Sequence, residues 1–146
     1  MLNIKHVAIP SDLEFLIIED TQVMQKILVI ALKKLGFNGK VHMAPSLKQA
    51  QTIFTSNPIQ FILLDWNLED GTGDTFLKAL RKHDKFKDLP VLMVSANDDM
   101  ENVLGAIELG ASDYLIKPPE ENDLKEKLSN AWLKHNPGSK LESDDE

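Results

Sequence analysis

The sequence predicts an α/β fold: a five-stranded parallel sheet, doubly wound, with five helices. Three observations predict it. The runs Phe15-Leu16-Ile17-Ile18, Phe61-Ile62-Leu63-Leu64 and Val91-Leu92-Met93-Val94 are continuously apolar and bounded by polar residues, the pattern of strands buried on both faces. Segments with apolar residues at helical spacing lie between them. Strand and helix alternate along the chain, and parallel neighbours need right-handed helical crossovers. All strand carboxyl ends then share one edge, where open α/β sheets bind ligands.

Met1 to Asp12 carry no clear periodicity and are expected to be an arm without an assigned element. Phe15 to Ile18 end in Glu19 and Asp20. Met24, Ile27, Leu28, Ala31 and Leu35 then mark a helix, with Gly36 at the C′ stop. Lys40 to Ala44 form a weaker strand. Ser46 and Gln49 make a capping box before a helix whose buried face is Leu47, Ala50, Ile53 and Phe54. The Phe61 strand stops on Asp65-Trp66-Asn67, and Leu68 to Gly73 follow as an irregular loop with two glycines. Phe76, Leu77 and Leu80 mark the third helix. Pro90 introduces the Val91 strand and Ser95 ends it. Met100, Val103, Leu104 and Ile107 give a helix closed by Gly110, and Tyr114-Leu115-Ile116 lead into Lys117-Pro118. Leu124, Leu128, Ala131 and Trp132 face the core from a last helix that stops before Pro137-Gly138. The organisation is therefore an arm at 1–12, one folded domain at 13–136 and an acidic, solvated tail at 137–146.

A chain of 146 residues has the usual size of one domain, and 42% hydrophobic with 27% charged residues suits a soluble globular protein. The longest purely apolar run, Ile27 to Leu32, is too short to span a bilayer, and Met1 to Pro10 lack the apolar core of a secretory signal. A cytoplasmic monomer is expected. Without cysteine there are no disulfides, thiolate metal sites or cysteine nucleophiles. The formal net charge of −7 disfavours nucleic acid. Arg81, Lys82, Lys85 and Lys87 are interrupted by Asp84 and Asp88 and read as a solvated helix end.

The shared strand edge turns separate residues into a site. Glu19, Asp20 and Asp65 converge there, with Ser95 and Lys117 from two further strands. Clustered carboxylates repel one another and call for protonation or a hard cation. Oxygen ligands of this kind suit Mg²⁺, which keeps waters and commonly adds a phosphate oxygen. A carboxylate can be the nucleophile in phosphoryl transfer, giving an aspartyl phosphate. Mg²⁺ and the Lys117 ammonium would neutralise the transferring group, and the Ser95 hydroxyl would hydrogen-bond it.

Asp65-Trp66-Asn67, Leu89-Pro90-Val91-Leu92-Met93-Val94-Ser95-Ala96, Gly110-Ala111-Ser112 and Lys117-Pro118 together resemble the receiver domain of two-component response regulators. The single-domain chemotaxis (CheY-like) type is the nearest, over about residues 14 to 135. The resemblance implies the flavodoxin-like strand order 2-1-3-4-5. It also implies Asp65 as phosphoacceptor, Glu19 and Asp20 as the Mg²⁺-binding acids, and Asn67 as a metal ligand through its backbone carbonyl. Ser95 and Lys117 match the family's hydroxyl and lysine, and Tyr114 its switch aromatic. Asn67 and Asn97 occupy the positions that tune hydrolysis of the acyl phosphate. A cis Lys117-Pro118 bond is implied as well. Three departures stand out: Glu19 where the family more often has Asp, Glu69 and Asp70 adding negative charge where many members have Pro, and Pro45-Ser46 in place of a glycine-bearing turn.

Rival readings fail on particular residues. An EF-hand loop starting at Asp65 would need Gly at Asp70 and Glu at Phe76. A haloacid-dehalogenase-type phosphohydrolase needs a second Asp where Asn67 stands. A flavin or nucleotide binder would need a phosphate loop after the first strand, where Glu19 and Asp20 repel phosphate. The expected function is phosphoryl acceptance from a sensor histidine kinase, with Mg²⁺. The changed Ser95 and Tyr114 face then alters binding to a protein target, so the protein is a switch and not an enzyme. The alternative is a receiver-fold interaction module that is never phosphorylated. With no output domain after residue 136, signalling is expected to pass through protein contact.

Overall fold

A computed structural model describes residues 1–96 and 99–142. In chain order its elements are β1 (Leu2–Ile4), β2 (Val7–Ile9), β3 (Phe15–Ile18), α1 (Gln22–Lys34), β4 (Val41–Ala44), α2 (Leu47–Ser56), β5 (Phe61–Leu64), β6 (Asn67–Leu68), β7 (Gly71–Thr72) and α3 (Gly73–Lys82). Then come β8 (Val91–Ser95), α4 (Met100–Glu108), β9 (Asp113–Ile116), α5 (Glu121–His135) and a 3₁₀ turn at Pro137–Ser139. Five parallel strands form the main sheet in the order β4-β3-β5-β8-β9. Numbered among themselves they read 2-1-3-4-5, the expected flavodoxin-like order.

The uninterrupted apolar runs follow from this topology. β3, β5 and β8 are buried at every position, because helices cover both faces and each side chain enters one of two cores. Phe15, Ile17, Phe61, Leu63, Leu92 and Val94 pack with Leu28 and Leu32 of α1 and Leu124, Leu128 and Ala131 of α5. Leu16, Ile18, Ile62, Leu64, Val91 and Met93 pack instead with Ala50 of α2, Leu77 and Leu80 of α3 and Ala106 of α4.

Two helical faces differ from the expectation. On α1 the fully buried residues are Leu28 and Leu32, while Ile27 is 40% exposed and Val23 and Ile30 are also exposed. On α4, Ala106 is the buried residue, and Met100, 65% exposed, and Leu104 face solvent. Both helices carry apolar residues around most of their circumference, so periodicity alone does not select the face that meets the sheet.

The first twelve residues hold an element the sequence did not reveal. β1 and β2 form an antiparallel hairpin pairing Leu2 with Ile9 and Ile4 with Val7. Its two turn residues, Lys5 and His6, have φ of 52° and 63°, the left-handed pair that a two-residue turn of this hand demands. Asn-Gly is the usual signal for such a turn, and Lys-His conceals it. Ile4, Val7 and Ile9 are buried in the same core as α5. The end of the chain joins them: Val7 bridges Lys140, and Leu141 N donates to His6 O at 2.7 Å. The expected tail is thus packed on the hairpin as far as Leu141.

The Leu68–Gly73 loop is also more regular than expected, with β6 and β7 pairing Asn67 with Thr72 and Leu68 with Gly71. Ser46 caps α2 as the sequence indicates, accepting the Gln49 N–H at 3.2 Å. Asp70 supplies a second cap, its two oxygens accepting the Leu47 and Lys48 N–H groups at 2.9 and 3.0 Å. Those bonds lower its pKa, and its charge is engaged at a helix N-terminus, where the dipole favours it.

At the opposite end of the sheet from the strand carboxyl termini, Ser112 ties three elements together. Its Oγ accepts the Val91 N–H at 2.9 Å and an Arg81 Nη2 proton at 3.5 Å. That leaves its own proton to donate to His135 Nε2, 2.7 Å away. Nε2 is then an acceptor, so the imidazole proton sits on Nδ1, facing Asp88 at 3.8 Å. A second imidazole proton would give Ser112 three donors and two lone pairs. Burial and the Arg81 charge hold the His135 pKa below its ordinary value, with Asp88 opposing in part.

Two outcomes follow. The unfolded chain takes up a proton near pH ~6.5 that folded His135 refuses, so stability falls as pH drops through that value toward the lowered folded one. The urea midpoint of the wild type should decline between about pH 7.5 and about pH 5.5 more steeply than that of His135→Gln; parallel declines refute a neutral His135 held by Ser112 as the source of the pH dependence. Ile9→Ala should lower unfolding free energy by about 2–5 kcal/mol, and a change within about 0.5 kcal/mol would place the hairpin outside the cooperative core.

Candidate functional site

Glu19 and Asp65 directly follow β3 and β5, Ser95 ends β8 and Lys117 follows β9. Ladder bonds continue past the strands: Glu19 N donates to Ala44 O at 3.0 Å, Asp65 N to Ile18 O at 2.9 Å and Lys117 N to Ser95 O at 2.9 Å. Each residue is therefore fixed by a neighbouring strand as its side chain leaves the sheet. Behind Asp65, Gly73 N donates to Trp66 O at 2.6 Å. A Cβ on Gly73 would lie 2.4 Å from the Asp65 carbonyl oxygen, so only glycine lets α3 begin this close to the site.

One oxygen from each of Glu19, Asp20 and Asp65 lies within 4.8 Å of the others. Lys117 Nζ donates to Glu19 Oε1 and, at 3.1 Å, to Asp65 Oδ2. Asp65 Oδ1 accepts the Asn67 N–H at 3.4 Å. Glu19 and Asp65 are 1% and 7% exposed, whereas Asp20 faces solvent and opens the cluster to it. The Lys117–Pro118 bond is cis.

The electrostatics separate the three acids. Burial alone would raise the Glu19 pKa, but the Lys117 hydrogen bond, the Thr21 bonds and the Lys117 charge outweigh it and hold it below the usual carboxylate range. Asp20 is raised, by partial burial and then by its proximity to Glu19. Asp65 is raised as well, chiefly by burial and further by the Glu19 charge, with Lys117 opposing. Burial pulls Lys117 down, yet its two carboxylate partners raise it overall, so it is firmly an ammonium. Three carboxylates against one ammonium leave two uncompensated negative charges when all are ionised. A hard oxygen donor set with that residual charge could hold a divalent cation.

Ser95 is fully buried one strand from Asp65, its carbonyl tied to the Lys117 N–H. Tyr114 is buried on β9 beside Met93 of β8, in the core layer shared with α3 and α4. Asn67 reaches the site through its N–H. Asn97 lies outside the described residues. Sequence reasoning missed Thr21 and Gln25. Thr21 donates both its N–H and its hydroxyl to Glu19 Oε2, at 2.9 and 3.0 Å, and Gln25 Nε2 donates to Glu19 O at 2.6 Å. A Thr two residues after the first acid, at the start of a helix, was the available signal, and it reads as an ordinary cap.

Residues 15–129 match the family model described as the response regulator receiver domain. Among curated proteins, the chain is 32% identical over 124 residues to chemotaxis protein CheY of Pseudomonas aeruginosa, covering 85% of this chain and 99% of the relative. It is likewise 32% identical over 117 residues to CheY-3 of Vibrio cholerae, covering 80% and 89%. A two-component response regulator from Clostridium difficile superposes with a TM-score of 0.74 at 26% identity, covering 86% of this chain and 99% of that one. The chemotaxis response regulator CheY4 of Vibrio cholerae superposes with a TM-score of 0.73 at 23% identity, covering 82% and 98%, and shares the fold. A family match over most of the chain, a sheet in the expected order and an acid cluster under a strand-end lysine agree, and this chain belongs to the response regulator receiver domain family of two-component systems.

Proposed function

We propose that this receiver accepts a phosphoryl group on Asp65 from a sensor histidine kinase and passes the signal on by protein contact, as the chemotaxis relatives suggest. The observation that carries the reading is the Lys117 ammonium bridging Glu19 and Asp65 beside Asp20. Glu19, Asp20, Asp65 and the Asn67 backbone carbonyl would hold Mg²⁺, which supplies positive charge to the transferring group when bound.

The chain's own residues do the rest. An Asp65 carboxylate oxygen attacks phosphorus as the bond to the donor nitrogen breaks, leaving an acyl phosphate. Burial and the Glu19 charge raise its pKa while Lys117 opposes the rise, and the ionised form is the nucleophile. Lys117 neutralises the phosphoryl oxygens without first having to lose a proton. Ser95, on the next strand, donates its hydroxyl to a phosphoryl oxygen, and Tyr114 reads that shift on β9. The surface from Met100 through α5 presents the change, and exposed Met100, Leu104 and Ile116 give it apolar area for a protein partner. Asn67 and Asn97 set how readily water attacks the acyl phosphate. The protein acts as an acceptor, with at most slow self-dephosphorylation.

Acetyl phosphate with Mg²⁺ should add one phosphoryl mass, observed by intact mass spectrometry or as a shifted Phos-tag band. EDTA and Asp65→Asn should each remove it. Labelling that persists in Asp65→Asn rejects Asp65 as acceptor. If neither acetyl phosphate nor a histidine kinase labels the wild type, the constitutive interaction module takes its place.

A further inference from the structure

Glu19 presents a problem that an aspartate would not. Its side chain has one more rotatable bond, so a defined carboxylate position needs a stronger clamp. The clamp lies two residues on. Thr21 occupies the N-cap of α1, with φ −96° and ψ 131°, where a threonine hydroxyl ordinarily accepts a backbone N–H of the first turn. Here it makes no cap bond. The hydroxyl turns back and donates to Glu19 Oε2 at 3.0 Å, and the Thr21 N–H donates to the same oxygen at 2.9 Å. Gln25 Nε2 holds the Glu19 carbonyl oxygen at 2.6 Å. Oε2 thus has both donors it accommodates, and Oε1 is the oxygen left for Lys117.

We propose that Thr21 is a positioning residue that pins Glu19 through Oε2, so that Oε1 alone is presented to Lys117 and to the divalent cation. This rests on the reading of Glu19, Asp20 and Asp65 as a Mg²⁺ site. The arrangement follows the rule that groups behind metal ligands orient them, and their loss typically weakens metal affinity about 10- to 100-fold. Because the Thr21 N–H remains in any variant, removing the hydroxyl should fall near the lower bound. A simple helix cap would behave differently, since its loss lowers stability and leaves the Mg²⁺ affinity of the folded chain intact.

The test is a Mg²⁺ titration of the full chain at constant ionic strength, followed by emission of Trp66, the neighbour of Asp65, and repeated by calorimetry. Urea unfolding without Mg²⁺ accompanies it. Thr21→Val, which keeps the shape and removes the hydroxyl, should raise the Mg²⁺ dissociation constant about tenfold and, by taking a donor from a buried carboxylate, lower the metal-free urea midpoint as well. Thr21→Ser should restore wild-type affinity. A Thr21→Val constant within about twofold of wild type overturns the proposal. So does equal weakening in Thr21→Ser, which keeps the hydroxyl. If the wild type itself binds no Mg²⁺ by either method, the cation-site reading fails and this proposal with it, an outcome distinct from a wild type that binds and a variant that binds equally.

Discussion

The ion pairs of Lys117 with Glu19 and Asp65 are the contacts on which the site depends. Two unit charges about 4 Å apart interact by roughly 4 kcal/mol at an effective dielectric near 20, so clustered carboxylates with little access to water would oppose the fold unless a cation stood among them. Lys117 provides it from the far side of the cluster in sequence, just past the end of β9, the strand next to β8. One ammonium cannot neutralise three acids. Burial first, and the Glu19 charge after it, keep Asp20 and Asp65 above their ordinary pKa values, and the unneutralised remainder is a charge deficit that a divalent ion and a phosphoryl group could share. The instability of the acid cluster and its capacity for chemistry therefore have the same origin.

The sheet makes that cluster rigid. Register bonds beyond the last strand residues fix the backbones of Glu19, Asp65 and Lys117, and the layers above and below are packed with fully buried side chains. A hydroxyl on Thr21 and an amide on Gln25 then fix Glu19 at both its carboxylate and its carbonyl. The longer acid is held by local hydrogen bonding. Asp70 behaves similarly: its negative charge, in the loop after β5, is engaged by the α2 N-terminus.

The hairpin, the last turns of α5 and the residues after it form a closed arrangement outside the stretch matched by the family model, which begins at residue 15 and ends at 129. The hairpin's Ile4, Val7 and Ile9 extend the α1–α5 core, and Trp132 Nε1 donates to Ser139 Oγ at 3.1 Å as the chain returns toward His6. Ser112 and His135 connect the end of α5 to the start of β8. These contacts buttress the helix whose outer surface belongs to the proposed output face.

The sequence by itself determined the alternation of five strands with five helices and the positions of Asp65, Ser95 and Lys117, because the three central strands announce themselves as apolar runs whose polar ends mark the ligand edge. The Ser46 cap and the Gly36 stop were legible for the same reason, each being a local pattern of a few residues. Tertiary structure alone decided that Leu32 and not Ile27 faces the sheet, since α1 is apolar nearly all round. Only the packed chain could show that Lys5-His6 turns a hairpin, that Thr21 serves Glu19 in place of its own helix, and that Ser112 meets His135. The physical reason is common to all three: periodicity records where a segment's surface is apolar. Which donor meets which acceptor is settled by distances between segments, and those exist only once the sheet has brought them together.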